Sequence, residues 1–232
     1  MKKIVFIISS VVMFLLAFSF DSRLVLADGF ELEINDNSFQ EDIELEKEIE
    51  KLLESAPELE APIEDGVSTF MTSSSYKPRA GDILYTPSTQ CKDNKDKCKG
   101  ITGHVGIVSS TGSNVYHIRG LNSKPSSIGK STWFNNYKKT LIIRPGSKSN
   151  GQKAADWVYK HYIKGTGKNK SYKVTLSRSV NLKTTYCSLI PWHGYVHGAN
   201  HYMGGTSGYL MPSNLITNAN ANGFTVHGKV GY

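Results

Sequence analysis

Cys187 is the residue whose sequence surroundings best suit nucleophilic chemistry. It is followed by Ser188 and, four positions on, by Pro191. Proline has no N–H group and is tolerated only in the first turn of a helix. If Ser188 caps a helix, Pro191 is the third helical residue and Cys187 stands directly before the first turn. Free N–H groups and the helix dipole there favour a thiolate with a lowered pKa, and can also stabilise an oxyanion. A buried, inert cysteine is the alternative.

A thiol nucleophile needs a base and a group that orients the base. His104 begins an apolar run, and His117 lies on the next β-rich run. If the loop is the four residues 109–112, paired positions sum to 221, and His104 lies directly opposite His117 on one face of the sheet. Cross-strand neighbours of this kind are close enough for one imidazole to orient the other. The sequence thus predicts a triad of Cys187, His104 and His117, which depends on this register.

Three further histidines, His193, His197 and His201, are spaced four residues apart after Cys187. On a helix they would align on one side, and a zinc site is the alternative to a cysteine-based site. Gly194 stands where a metalloprotease helix carries Glu, and no carboxylate is near in the sequence. We therefore expect no metal site and no cofactor, with these histidines on the outer side of the helix.

The sequence predicts that these residues lie in an α+β domain, which two other segments precede. Residues 1–27 read as a signal peptide, with a short basic start, an apolar run and a small-residue cleavage pattern; a retained membrane anchor is the alternative. Residues 28–75 form an acidic arm with a helix ending at Ser55 and a Ser/Thr-rich linker. Residues 76–232 form the catalytic domain, in which Asn150 is expected to cap a helix that runs to Ile163.

The remaining cysteines, Cys91 and Cys98, flank a polar stretch. In an oxidising compartment this pair predicts a disulfide that closes an exposed loop, and it leaves Cys187 as the unpaired thiol.

Charge divides the chain into two parts. From Asp28 to Asp65 there are fifteen Asp or Glu against two Lys, whereas from Gly66 to Tyr232 there are 22 Lys or Arg against four Asp. This asymmetry favours an anionic partner for the domain, and an acidic arm that restrains the domain until it is processed. Plain disorder of the arm, and charge that only maintains solubility, are the alternatives. No nucleic-acid-binding motif is present.

The chain resembles the permuted branch of the NlpC superfamily of papain-like cysteine hydrolases, the YiiX/YycO-like group. The resemblance covers about Pro78 to Leu215 and is carried by Gly81-Asp82-Ile83-Leu84, Gly103-His104-Val105-Gly106-Ile107-Val108 and Tyr186-Cys187-Ser188. It implies a circularly permuted papain-like fold, an antiparallel sheet packed against helices, with Cys187 as nucleophile at a helix N-terminus and His104 as base. The third polar position is often acidic in that branch, so His117 is assigned by place. Leu189 and Ile190 depart from the polar residues usual after the Cys-Ser pair, which leaves substrate selection open.

These features together predict a secreted, monomeric cysteine amidase or endopeptidase that acts through a thioester on cell-wall peptidoglycan peptides. Its expected partner is peptidoglycan or another anionic envelope polymer, with peripheral membrane contact as a further option. Residues assigned to oxyanion stabilisation or substrate binding are Tyr186, Ser188, Tyr85 and Trp192. The alternatives are an acyltransferase or esterase on lipid or isopeptide substrates, and a non-catalytic basic wall-binding module.

Overall fold

The computed structural model describes residues 23–25, 31–33, 47–62, 75–88, 99–203, 208–217 and 219–232. Most of the predicted signal peptide, and the predicted disulfide between Cys91 and Cys98, lie outside these residues. Within the described ranges, no helix combines the length and the apolar character that a membrane span requires.

A six-stranded antiparallel sheet is the centre of the fold, in the spatial order β10-β7-β3-β4-β5-β6. With the helices described below, it confirms the predicted α+β class. Two short strands, β1 and β2, pair separately, as do β8 and β9. The strands are β1 (Arg23–Val25), β2 (Glu31–Glu33), β3 (Ile83–Ser88), β4 (Lys99–Val108), β5 (Asn114–His117), β6 (Ser126–Gly129), β7 (Thr140–Pro145), β8 (Ser171–Tyr172), β9 (Thr184–Thr185) and β10 (Phe224–Val230).

Helices cover both faces of this sheet. They are α1 (47–55), α2 (Lys130–Asn136), α3 (Lys148–Val158), α4 (Leu189–His193) and α5 (Pro212–Thr217). A π-helical segment, Tyr159–Lys164, continues α3, and another, Gly194–Gly198, continues α4. Short 3-10 segments occupy Thr166–Asn169 and Asn220–Asn222. The Ser147 side chain caps α3 by accepting from the Asn150 N–H at 3.2 Å, so the prediction that Asn150 is the cap was wrong by three residues.

Strand alternation sends side chains of β4 to two different cores. Val105 and Ile107 join a core that contains Cys187 and the buried residues of α3 and α4. Val108 joins the opposite core, which contains Trp133 of α2. Because the period of a strand is two, His104 and Gly106 lie on the same side as Val108, toward α2.

Asp82 fixes the start of β3 as a fully buried carboxylate. It accepts hydrogen bonds from the Tyr76 hydroxyl at 2.8 Å and from the Arg79 N–H at 2.9 Å. Arg144 of β7 completes the site as an ion pair at 2.7 Å. A buried charge is tolerated only when it is paired and hydrogen-bonded in this way. Asp82 is therefore structural.

The described part of the acidic arm docks on the edge strand β10. Leu59 donates its N–H to the Lys229 carbonyl at 2.7 Å, and Lys229 donates its own N–H to the Pro57 carbonyl at 2.9 Å. Ile49 and Ala56 are buried in the core. Docking thus covers a sheet edge that would otherwise expose unpaired backbone groups. Leu59 of the arm also packs against the second core, which contains Trp133 and Tyr137.

Candidate active site

The hairpin of β4 and β5 places His104 and His117 on one face, in a register that differs from the predicted one. Ile107 pairs with Tyr116 and Val108 with Val115, so paired positions sum to 223 rather than 221. The predicted direct pairing of His104 with His117 was therefore wrong. The four-residue loop begins one residue later than expected, because Ser109 pairs with Asn114 at 2.8 Å. A shift of two in the sum keeps both side chains on the same face, whereas a shift of one would have separated them.

The two imidazoles are joined by a buried hydrogen bond. Nε2 of His104 lies 2.9 Å from Nδ1 of His117, and the residues are only 3% and 1% exposed. This bond occupies Nε2 of His104 and leaves its Nδ1 as the nitrogen that can take a proton from a thiol. Nε2 of His117 is buried and has no hydrogen-bond partner among the described residues.

An aromatic wall holds the two imidazoles in place. The Trp133 ring stacks on His104 at 5.5 Å between centroids, and the Tyr137 ring lies 5.1 Å from His104. The close approach of Trp133 requires Gly106, because a Cβ on this residue would lie 2.8 Å from the indole ring and 2.5 Å from the Val115 side chain. Packed rings of this kind restrict the rotamers of a catalytic base.

Cys187 stands directly before α4, as the sequence predicted. Ser188 is the flanking residue and Pro191 is the third residue of the helix. The Ser188 hydroxyl, however, does not cap the helix and instead donates to the Leu210 carbonyl. Cys187 is a free thiol with 4% exposure. The structure therefore places the buried thiol of Cys187 at the start of a helix that contacts β4.

Backbone N–H groups act on the Cys187 thiol from two directions and lower its pKa. One is its own end of the helix, through the N–H groups of Cys187 and Ser188; the other is β4, through the N–H of Val105. The Val108 N–H points toward β3, where it donates to the Asp82 carbonyl at 2.8 Å. By alternation the Val105 N–H points to the opposite edge of β4, beyond the last residue that pairs with β5. The Cys187 thiol therefore lies near the backbone of Val105, the residue that follows His104 in the chain.

Burial sets the protonation states of these groups. Burial raises the pKa of Cys187 to about 11, because it outweighs the surrounding N–H donors that lower the pKa. Burial, aided by His117 and Arg119, holds the pKa of His104 well below its usual 6.5. Burial and Arg119 lower the pKa of His117 to about 4. The expected net lowering of the thiol pKa was wrong: at neutral pH Cys187 is a thiol, and His104 and His117 are neutral imidazoles.

The residues assigned to oxyanion or substrate contacts are buried within the protein. The Tyr186 hydroxyl accepts from the Leu210 N–H at 3.2 Å, and Trp192 donates its indole N–H to the Met203 carbonyl at 2.8 Å. Ser188 bonds to Leu210 as described above, and Tyr85 is 2% exposed on β3. In this structure they support the walls of the site, and their contact with substrate stays a prediction.

Sequence reasoning missed two groups at the site, Tyr137 and Arg119. Burial raises the pKa of the Tyr137 phenol to about 12. Arg119 opposes this rise, and Cys187 adds to it. Tyr137 therefore lies within electrostatic range of the thiol while its ring packs on His104. The available signal was the i, i+4 spacing of Trp133 and Tyr137, which puts both rings on one side of α2.

The three histidines after Cys187 do not converge. His193 is buried, contrary to the expected outward position, and bonds through Nδ1 to the Tyr162 hydroxyl at 2.5 Å and through Nε2 to the Arg178 carbonyl at 2.7 Å. His201 bonds to the Asn222 carbonyl at 2.6 Å, and His197 stacks on Trp157. In the part of the chain that the structure describes, no group of three or more His, Cys, Asp or Glu could hold a metal ion.

Comparison with known proteins yields one distant structural likeness. The chain is similar to the solved structure of the metalloprotein YiiX from Escherichia coli O157:H7, with 20% identity and a TM-score of 0.41, covering 56% of this chain and 71% of that one. No protein-family model and no curated protein sequence matches the chain. A likeness at this level carries no information on catalytic residues, so the site rests on its own geometry.

Proposed function

We propose that this protein is a cysteine hydrolase of the permuted papain-like type that cleaves amide bonds in peptides of the cell wall. The observation that carries the proposal is the buried His104–His117 hydrogen bond, together with the effect of the next backbone N–H on β4, that of Val105, on the pKa of the free thiol of Cys187. A nucleophile, a base and a group that orients the base are thus supplied by three elements in the order β4, β5, α4.

The neutral resting site indicates general-base attack rather than a preformed ion pair. As the Cys187 sulfur attacks the amide carbon, Nδ1 of His104 takes the thiol proton, and His117 holds Nε2 in place. The N–H groups of Cys187 and Ser188 are the donors nearest to the developing oxyanion. His104 then returns the proton to the leaving amine as the C–N bond breaks and the thioester forms. Water, deprotonated by the same imidazole, hydrolyses the thioester and restores the thiol.

Charge and the apolar N-terminal segment support the choice of substrate. Between residues 99 and 232, Asp156 is the one carboxylate side chain against seventeen Lys or Arg. Such an excess attracts an anionic polymer over distances of about a Debye length. Together with the predicted export signal, it favours envelope peptides outside the cell. An acyltransferase or esterase would use the same thiol, and the products would distinguish these activities.

The test is digestion of purified peptidoglycan followed by mass spectrometry of the released fragments. The wild-type protein is expected to release fragments with new amino and carboxyl termini, and Cys187→Ala is expected to release none while still binding the polymer. Binding without release by either protein would instead identify a wall-binding module. Release of ester- or transfer-derived products from lipid or isopeptide substrates alone would identify the acyltransferase alternative.

A further inference from the structure

Arg119 is a cation at the site without a carboxylate partner. It follows His117 by two residues, and the buried Ile118 between them joins the core that contains Val105, so alternation places Arg119 on the same side as His117. Its side chain is exposed, and among the residues described it forms no ion pair. An arginine that extends a catalytic strand into solvent is available to a ligand.

The charge of Arg119 reaches the whole site. It opposes protonation of His104 and of His117, and it acts on the Tyr137 phenol, so it contributes to the pKa values of all three groups. The titratable side chains whose rings contact His104 are His117 and Tyr137, and neither is negatively charged in the resting state. The positive charge beside the base is therefore uncompensated within the site.

We propose that Arg119 binds a carboxylate of the substrate, close to the bond that is cut. This inference rests on the proposed function and defines its substrate class: peptides with a free carboxylate near the scissile amide. A guanidinium recognises a carboxylate through two parallel hydrogen bonds, which makes it selective for that group. Arg119 thus acts as a specificity residue, whereas Cys187 and His104 carry out the chemistry.

The bound carboxylate also assists the base. A substrate carboxylate bound to Arg119 cancels the repulsion between the guanidinium and a protonated His104. His104 therefore takes the thiol proton more easily when the correct substrate is bound. A substrate whose carboxylate is amidated leaves that repulsion in place. Selectivity therefore appears in kcat as well as in KM.

The experiment compares the stem tetrapeptide L-Ala–γ-D-Glu–L-Lys–D-Ala with its fully amidated form. Binding to the inactive Cys187→Ala protein is measured by calorimetry, and cleavage by the active protein is measured separately. We expect the free acid to bind about ten- to hundredfold more tightly, the range of a charge-assisted hydrogen-bonded pair. Arg119→Gln should reduce this preference to about one, Arg119→Lys should keep part of it, and Lys124→Gln, an exposed cation nearby in the chain, should keep all of it.

Equal binding of the two forms, binding of neither, or an unchanged preference in Arg119→Gln would overturn the inference. These outcomes are distinct from failure of the proposed function, because binding to Cys187→Ala needs no turnover. A preference that depends on Arg119, without cleavage of either form by the active protein, would support the carboxylate site while contradicting the hydrolase.

Discussion

Nε2 of His104 lies 2.9 Å from Nδ1 of His117, although the two residues are not directly paired across the β4–β5 hairpin. The register places Gly106 at the position opposite His117, and its missing Cβ admits the Trp133 ring beside both imidazoles. The pair is thus diagonal, and it is held by aromatic packing as much as by strand pairing.

His117 acts through His104 and should be replaceable by a residue that keeps the hydrogen bond. We expect His117→Ala to lower kcat about a hundredfold with KM changed less than about twofold, since general-base efficiency depends on orientation. His117→Asn should recover part of that loss, because an amide can still bond to Nε2 of His104. Steady-state kinetics test this, with thermal melts to verify folding. Equal kcat values for His117→Ala and the wild-type protein would exclude an orienting role.

The Cys187 thiol should react slowly at neutral pH in the free protein. Because burial raises its pKa to about 11, the thiolate fraction, and with it the rate of alkylation by iodoacetamide, should rise about tenfold per pH unit from pH 7 to pH 9.5. Rates are measured by intact mass in a Cys91→Ser, Cys98→Ser background, which isolates this thiol. A fast rate that is already constant at pH 7 would show a preformed thiolate instead.

The buried histidines should make the fold sensitive to mild acid. His117 and His193 each have a pKa lowered from 6.5 to about 4 by burial. Between pH 6.5 and pH 4 these histidines bind protons in the unfolded chain but stay neutral in the folded chain. Stability is therefore full above pH 6.5 and falls as pH drops toward 4, by roughly 3 kcal/mol per histidine. Urea unfolding at pH 7 and 4.5 measures the loss.

In that experiment His117→Asn should lose distinctly less stability on acidification than the wild-type protein. His197→Asn serves as the control, because this side chain is exposed and burial lowers its pKa less than that of His117. Equal stability of the wild-type protein at the two pH values would contradict the buried neutral state of these imidazoles.

The docked arm should contribute to stability as part of the domain. Ile49 of α1 is 8% exposed and lies in the main core, so Ile49→Ala should cost about 2–4 kcal/mol of unfolding free energy. The exposed Glu50→Ala on the same helix should change it by less than about 0.5 kcal/mol. Urea unfolding compares the two. No loss in Ile49→Ala would support a loosely attached propeptide.

Much of the site could be predicted from the sequence because it depends on local rules. Pro191 fixes the start of α4. Strand alternation puts His104 and His117 on one face whether the paired positions sum to 221 or to 223. The sign of the Cys187 pKa could not be predicted, because it depends on burial, which tertiary packing decides. Tyr137 could have been found from its spacing to Trp133, whereas the effect of Arg119 on His104 depends on how the chain folds around β4 and β5. Docking of the arm on β10 likewise depends on backbone pairing between residues about 170 positions apart.

The most direct test of the central claim is to trap the thioester on Cys187. Acid quenching during turnover of peptidoglycan peptides, followed by peptide mapping, should show an acyl fragment on the peptide that contains Cys187, and neutral hydroxylamine should remove it. Cys187→Ala should show neither the adduct nor turnover. Undiminished turnover in Cys187→Ala would contradict the account.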